Sequence, residues 1–176
     1  MENIKIRRPR INDVHELTEF FRIVLFDTFT KEGIDHLLED LEEEIKAKEN
    51  YFMNDMNSDG KDRYFLIALK EDKIIGTIEH GITSELINTC TGNTYKGLQE
   101  VGTIFVHPNF QNRGIGNLLL SEMYMNLKSK GLTEFCLDSG YRTSQKIWTK
   151  KFGNPDYLLK DYWGKDFHHM IWRVQI

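Results

Sequence analysis

The twelve residues Val106-His107-Pro108-Asn109-Phe110-Gln111-Asn112-Arg113-Gly114-Ile115-Gly116-Asn117 hold the most informative spacing in the chain. They follow a stretch, Leu98 to Val106, that reads as a strand. They lead into Ile115, Leu118, Leu119, Met123 and Leu127, a helical pattern that stops near Gly131. Gly114 and Gly116 let a ligand come close to the backbone. The free N–H groups of the helix's first turn point the same way, and the helix dipole favours negative charge there. Arg113 adds a fixed positive charge. The chemistry this suits is the holding of a pyrophosphate, although a plain structural turn also carries two glycines. Two known phosphate loops are excluded. The dinucleotide fingerprint wants a third Gly or Ala where Leu119 stands, and the P-loop wants a Gly-Lys-Ser/Thr that is absent.

Other reactive side chains point to less. His168-His169 invites a metal, but neighbouring strand residues face opposite sides and cannot chelate one ion. No metal site is expected. Cys90 and Cys136 make neither a CxxC pair nor a disulfide framework. Cys136, flanked by apolar residues, reads as a core thiol. Ser139, Ser144 and Asp138 do not form a nucleophile elbow.

The elements that must position this loop are legible on both sides of it. Ile4-Lys5-Ile6-Arg7 alternates as a strand. Asp13-Val14-His15-Glu16 reads as a capping box, followed at helical spacing by Val14, Leu17, Phe20, Phe21, Val24 and Leu25. After Gly33 a second helix runs through Ile34, Leu37, Leu38, Leu41 and Ile45, with an acidic outer face. Asn57-Ser58-Asp59-Gly60 is a turn cluster. Tyr64 to Leu69 and Lys73 to Glu79 form a hairpin around Glu71-Asp72. Residues 81–97 read mostly as a mobile loop. Glu134 to Leu137 is a strand, Ser144 to Lys151 a short helix, and Tyr157 to Leu159 and His169 to Val174 are closing strands. The order β-α-α-β-β-β-α-β-α-β-β is a mixed α/β layout with antiparallel hairpins.

Composition bounds the rest. The chain has 176 residues, 12% of them aromatic, and only 3 Pro. One domain spanning 1–176 is expected, and disorder or Pro-rich repeats are excluded. Residues 1–110 carry 13 basic and 21 acidic side chains, whereas residues 111–176 carry 10 and 6. The basic C-terminal third suits an anionic ligand; the acidic remainder argues against nucleic acid as main partner. No apolar run approaches a bilayer span and the N-terminus shows no leader core, so no membrane partner is expected and the cytoplasm is the expected compartment.

The segment Gln111-Asn112-Arg113-Gly114-Ile115-Gly116 resembles motif A, Gln/Arg-x-x-Gly-x-Gly/Ala, of the GCN5-related N-acetyltransferases. The preceding Val-His-Pro, Phe110 and the Leu118-Leu119 pair also look like that family, and the remaining elements fall in family order. The resemblance implies the acyl-CoA N-acyltransferase fold, a central, mostly antiparallel mixed sheet flanked by helices, and acetyl-coenzyme A as cofactor. Backbone groups of Ile104, Phe105 and Val106 would bind the pantetheine arm. Gln111, Asn112, Arg113, Gly114, Ile115, Gly116 and Asn117 would hold the pyrophosphate, with Tyr141 and Ser144 also against the cofactor.

The reaction implied is acetyl transfer to the amine of a small molecule or peptide. That amine must first lose a proton. The resemblance places Glu100 where one branch of the family has its glutamate base, and Glu79 and His80 are weaker candidates. Trp148 stands where the family often has the Tyr that protonates the leaving thiolate, and indole cannot serve as that acid. Either another residue does that job, with Tyr141 and Tyr162 as the substitutes, or the thiolate leaves to solvent. The acidic second helix would border the acceptor groove and attract a cationic amine such as a polyamine or basic peptide. A homodimer is compatible with the family. Rival readings are a catalytically weak coenzyme A-binding module and a transferase for another acyl group.

Overall fold

The computed structural model describes residues 3–176. Met1 and Glu2, the start of the segment expected to lack a leader core, lie outside the described residues. The chain runs β1 (Ile4–Arg7), α1 (Val14–Glu32), α2 (Leu38–Ser58), β2 (Arg63–Lys70), β3 (Lys73–Ile82), α3 (Glu85–Cys90) and β4 (Gln99–Val106). It continues through α4 (Ile115–Ser129), β5 (Glu134–Ser139), α5 (Arg142–Phe152), β6 (Tyr157–Leu159) and β7 (His169–Gln175). The strands form one sheet in the order β1-β2-β3-β4-β5-β7-β6. Every neighbouring pair is antiparallel except β4–β5. This is the mixed, mostly antiparallel sheet that the resemblance implies.

Helices cover both faces because each strand alternates its apolar side chains. On one face Phe21, Leu25, Phe29, Leu41 and Phe52 from α1 and α2 pack on Phe65, Ile67, Leu69 and Ile74. On the other, Ile115, Leu119, Met123 and Trp148 from α4 and α5 pack on Ile75, Ile78, Val101, Leu137 and Trp172. Gly76 allows α4 to sit low. A Cβ there would meet Leu119 Cδ1 at 3.0 Å, Ile115 Cγ2 at 3.2 Å and the Phe105 carbonyl oxygen at 3.2 Å. The start of α4 is therefore set directly by its contact with β3.

Three expectations change. Residues 81–97 contain a helix, α3, whose first turn is capped by the Ser84 side chain accepting from the Ile87 N–H. Ile87 is fully buried with Tyr95, Cys136 and Ile171, so burial of one side chain anchors a segment with little periodicity. α2 starts later than Ile34 and runs through Asn57 and Ser58, and Asp59 and Gly60 end it with φ of 50° and 71°. Finally, Asp13 and Glu16 do not make a capping box. Both Asp13 oxygens bind Arg7, and Glu16 accepts instead from the Ile74 N–H at 2.8 Å. A cation one strand away and an unpaired strand-end N–H won over the helix's own donors.

β4 and β5 touch in register only at Glu100 and Cys136. Beyond that point they splay, and β4 also carries a bulge between its pairings with Thr77 and Glu79, where Thr103 takes φ 50°. The gap opens toward the β4–α4 loop. Among the described residues no helix is long and apolar enough to cross a membrane.

Candidate active site

The β4–α4 loop is built as its glycines require. Asn112 and Gly114 hold φ of 60° and 82°, and Gly114 is the residue from which α4 springs. A side chain at Gly114 would find no atom within 4 Å, so the helix start opens outward. The first turn of α4 contains no acid to mask its N–H groups. Asn112, Arg113, Gly114 and Asn117 are exposed, Gly116 is half-buried, and Ile115 is buried as the helix's first core contact. Lys151 Nζ donates to Asn117 Oδ1 at 2.8 Å, which brings α5's basic end to the same place. Arg113 stacks over Phe110 at 5.4 Å.

Of the three β4 residues expected to offer backbone groups, Val106 is the one whose peptide groups turn away from β3. The His107 N–H donates to the Ile75 carbonyl at 2.9 Å, so His107 pairs with β3. Alternation along an antiparallel ladder then turns the peptide groups of Val106 away from β3 and those of Phe105 toward it. Phe105 contributes its ring, packed edge-on against Phe21 of α1, and Ile104 packs on the α4 face. The Gln111 side chain donates to the Val106 carbonyl at 3.2 Å and accepts from Lys31 Nζ at 3.1 Å.

α1 ends between the two splayed strands. Lys31 reaches the β4 side through Gln111, and Glu32 reaches the β5 side. Buried Glu32 accepts from Arg142 Nε and from the N–H and hydroxyl of Thr143, at the start of α5. Burial opposes its charge, yet these donors hold its carboxyl below the usual range. Ser144, in the same first turn, is half-buried.

Three carboxylates share the α1/α2 face on consecutive strands. Glu79 of β3 pairs in register with Gly102, and Glu100 of β4 with Gly81 and Cys136, while Asp138 stands two residues beyond Cys136. Their surroundings differ. Glu79 is buried, its oxygens taken by Arg63 and by the Thr103 hydroxyl. Glu100 accepts from the Ser84 N–H at 2.6 Å, and among the described residues no cation pairs with it. Burial, then the charge of Asp138, push the Glu100 carboxyl up to about 7. His80 lies on the opposite face, held by Gln99 and by Asn126 of α4, which takes it away from these carboxylates.

The tyrosines diverge. Tyr141 precedes α5, half-buried against Phe29 of α1, and burial followed by Glu44 pushes its phenol well above the ordinary value. Tyr162 is exposed in the β6–β7 loop against Trp163, with Cys90 raising its phenol. Trp148 is a core residue stacked on Phe152. Cys136 is fully buried, and burial pushes its thiol far up, as befits a core residue. His168 accepts from the Asp161 N–H, whereas His169 turns to Asp138, so the two imidazoles point to different partners.

Residues 61–153 match the sequence model described as an Acetyltransferase (GNAT) domain. The chain belongs to the GNAT acetyltransferase family. Solved structures of similar GNAT fold accompany that match. One is a GNAT-family protein from Desulfovibrio desulfuricans, with 17% identity, TM-score 0.74, and 98% of this chain and 99% of that one covered. Another is the PaiA N-acetyltransferase from Thermoplasma acidophilum, solved with coenzyme A, with 22% identity, TM-score 0.68 and 98% and 99% covered. A third is YncA from Salmonella typhimurium, solved with acetyl-CoA, with 15% identity, TM-score 0.68 and 98% and 94% covered. At these identities the likeness speaks to the GNAT fold. A search of curated proteins finds no match.

Sequence reasoning passed over several residues on the cleft face. Arg63 lies over the Tyr51 ring at 3.9 Å and neutralises Glu79. Lys48 of α2 stands over Tyr51 and Phe105. Burial disfavours its charge, but Glu44, Tyr51, Glu79 and Asp138 together hold it above the ordinary lysine value. Asp138 and His169 complete the set. The period-2 pattern of β5 would have put Asp138 on the face of Cys136, but no sequence signal links it to His169.

Proposed function

We propose that the protein transfers an acetyl group from acetyl-coenzyme A to an amine, with Glu100 as general base. The observation that carries this is a carboxyl raised to about 7, without a cation partner among the described residues, on the cleft face below a gap between two parallel strands. Such a group is half-ionised near neutral pH. It can take a proton from an ammonium and still hold it. Glu79 is the poorer candidate because Arg63 and the Thr103 hydroxyl occupy its oxygens.

The cofactor reading rests on fit. Gly114's open outward side, an α4 first turn free of acids, and Lys151 beside Asn117 suit a pyrophosphate on Gln111 to Asn117. The outward peptide of Val106 suits an amide of the pantetheine arm, and Gln111 must release that carbonyl for it. Tyr141 and Ser144 border the same gap. When bound, acetyl-coenzyme A supplies an activated thioester. This chain's residues orient it and accept the amine's proton at Glu100.

The thiolate's fate favours one of the alternatives. A phenol pushed above its ordinary value, as at Tyr141, is a weaker acid than a thiol and does not hand it a proton. Tyr141 therefore acts as a hydrogen-bond donor, Tyr162 sits on the exposed loop, and the thiolate leaves to solvent. The acceptor is a small-molecule or peptide amine; the exposed acids Glu39, Asp40, Glu42 and Glu43 on α2 favour a cationic one. Titration with coenzyme A tests the cofactor, and no binding at millimolar concentration refutes it. An amine panel with detection of released thiol tests transfer. An unchanged rate for Glu100→Gln removes Glu100 from the base's role. Competition between acetyl-, propionyl- and succinyl-coenzyme A decides the acyl group.

A further inference from the structure

Outside the groups assigned so far, one chain of hydrogen bonds runs from an exposed loop into the cleft. Trp163, in the loop between β6 and β7, donates its indole N–H to His169 Nδ1 at 3.1 Å. His169 Nε2 lies 2.9 Å from Asp138 Oδ2. An indole nitrogen can only donate, so Nδ1 must accept. The ring proton then sits on Nε2 and is donated to the Asp138 carboxylate. His169 is 4% exposed, so water does not compete for either bond. Gly140 makes the arrangement possible, because a Cβ there would come within 2.8 Å of Trp163 Nε1.

Asp138 is the acid whose charge bears most on Glu100. The two occupy the same face of the parallel β4–β5 pair. Other groups facing Glu100 are Glu79 on β3, compensated by Arg63 on β2, the Cys136 thiol on β5, Tyr51 on α2, and the Ser84 N–H. Asp138 is itself faced by Lys48 from α2, Cys136 on its own strand and His169 on β7. Among the described residues, only His169 holds the Asp138 carboxylate by a hydrogen bond.

We propose that His169 is a positioning residue for proton transfer: clamped by the Trp163 indole, it pins the Asp138 carboxylate on the cleft face, where its charge acts on Glu100. This rests on the reading of Glu100 as base. Released from His169, Asp138 can turn toward water, where its charge is screened. Glu100 then ionises at lower pH and becomes a weaker base. The loop that carries Trp163 thereby sets the basicity of a residue on β4.

The test follows Glu100 directly, by carboxyl carbon NMR of the full chain labelled in glutamate, with Glu100→Gln identifying the resonance. His169→Leu is expected to lower the Glu100 midpoint by on the order of one pH unit, and to move the acid limb of kcat/KM down equally. His169→Gln, whose amide can still donate to Asp138, is expected to restore most of it. Trp163→Phe, which frees Nδ1, is expected to produce a smaller shift of the same sign. A folded His169→Leu protein with an unchanged midpoint overturns the proposal. Should that variant fail to fold, Trp163→Phe decides, and a midpoint equal to wild type overturns it. A Glu100→Gln rate equal to wild type removes the base, and the positioning role with it. An intact base with an immobile midpoint removes the positioning role alone.

Discussion

Replacing Glu100 by Gln is expected to stabilise the fold while slowing the reaction. The Glu100 carboxyl is raised from 4.5 to about 7, first by burial and then by Asp138. Between those values the folded protein binds a proton that the unfolded chain has released, so stability falls as pH rises through this window. Each unit of difference corresponds to about 1.4 kcal/mol, and the whole shift to roughly 3 kcal/mol at most, because the half-buried side chain retains some solvent screening. Glutamine keeps the oxygen that accepts from the Ser84 N–H but never ionises. Urea unfolding of both proteins should therefore agree closely below pH 4.5 and diverge above it, with the variant gaining up to roughly 3 kcal/mol above about pH 7. The variant's kcat/KM should drop on the order of 100-fold or more. Stability curves that stay parallel from acid to neutral pH would refute the claim that Glu100 is held protonated by its surroundings.

Three further outcomes are expected. Gly76→Ala must push Ile115 and Leu119 off β3, costing about 1–3 kcal/mol in urea unfolding; it should also weaken coenzyme A binding by calorimetry, since the same turn starts α4. Gly114→Ala meets no atom but forces a side chain into φ 82°, so a loss of about 1–2 kcal/mol is expected from strain alone, measured by thermal unfolding. Glu32→Gln should cost about 1–3 kcal/mol at neutral pH by loosening α5 from α1. Because the Glu32 carboxyl is held low, its contribution is present above the ordinary carboxylate range and lost as pH falls below it; wild type and variant should converge in acid.

Much of this was legible in the sequence because it depended on local repetition. The apolar spacing of Leu17, Phe20, Phe21 and Val24 locates α1, and Gly114 with its neighbours marks the start of α4. What was not legible depends on pairing between distant strands. Arg63 neutralises Glu79 only because β2 and β3 bring them together. Asp138 and His169 meet across β5 and β7, 31 residues apart. Asp13 follows the capping pattern but prefers Arg7, an option that exists only once β1 lies beside α1. The small helix at Glu85–Cys90 rests on Ile87 and one serine cap, too little to make a periodic signal.

The splay between β4 and β5 has a consequence for how the molecule exchanges its amide protons. Sheets normally end at their perimeter, where an exposed edge recruits other chains. Here an edge lies in the middle of the sheet, with the outward peptide of Val106 on its rim and the end of α1 above it. A slot of that kind suits an extended, narrow guest. The Val106 amide should therefore exchange quickly with solvent in the free protein and become protected when coenzyme A fills the slot. The interior edge would then be a sheet position whose protection depends on ligand concentration.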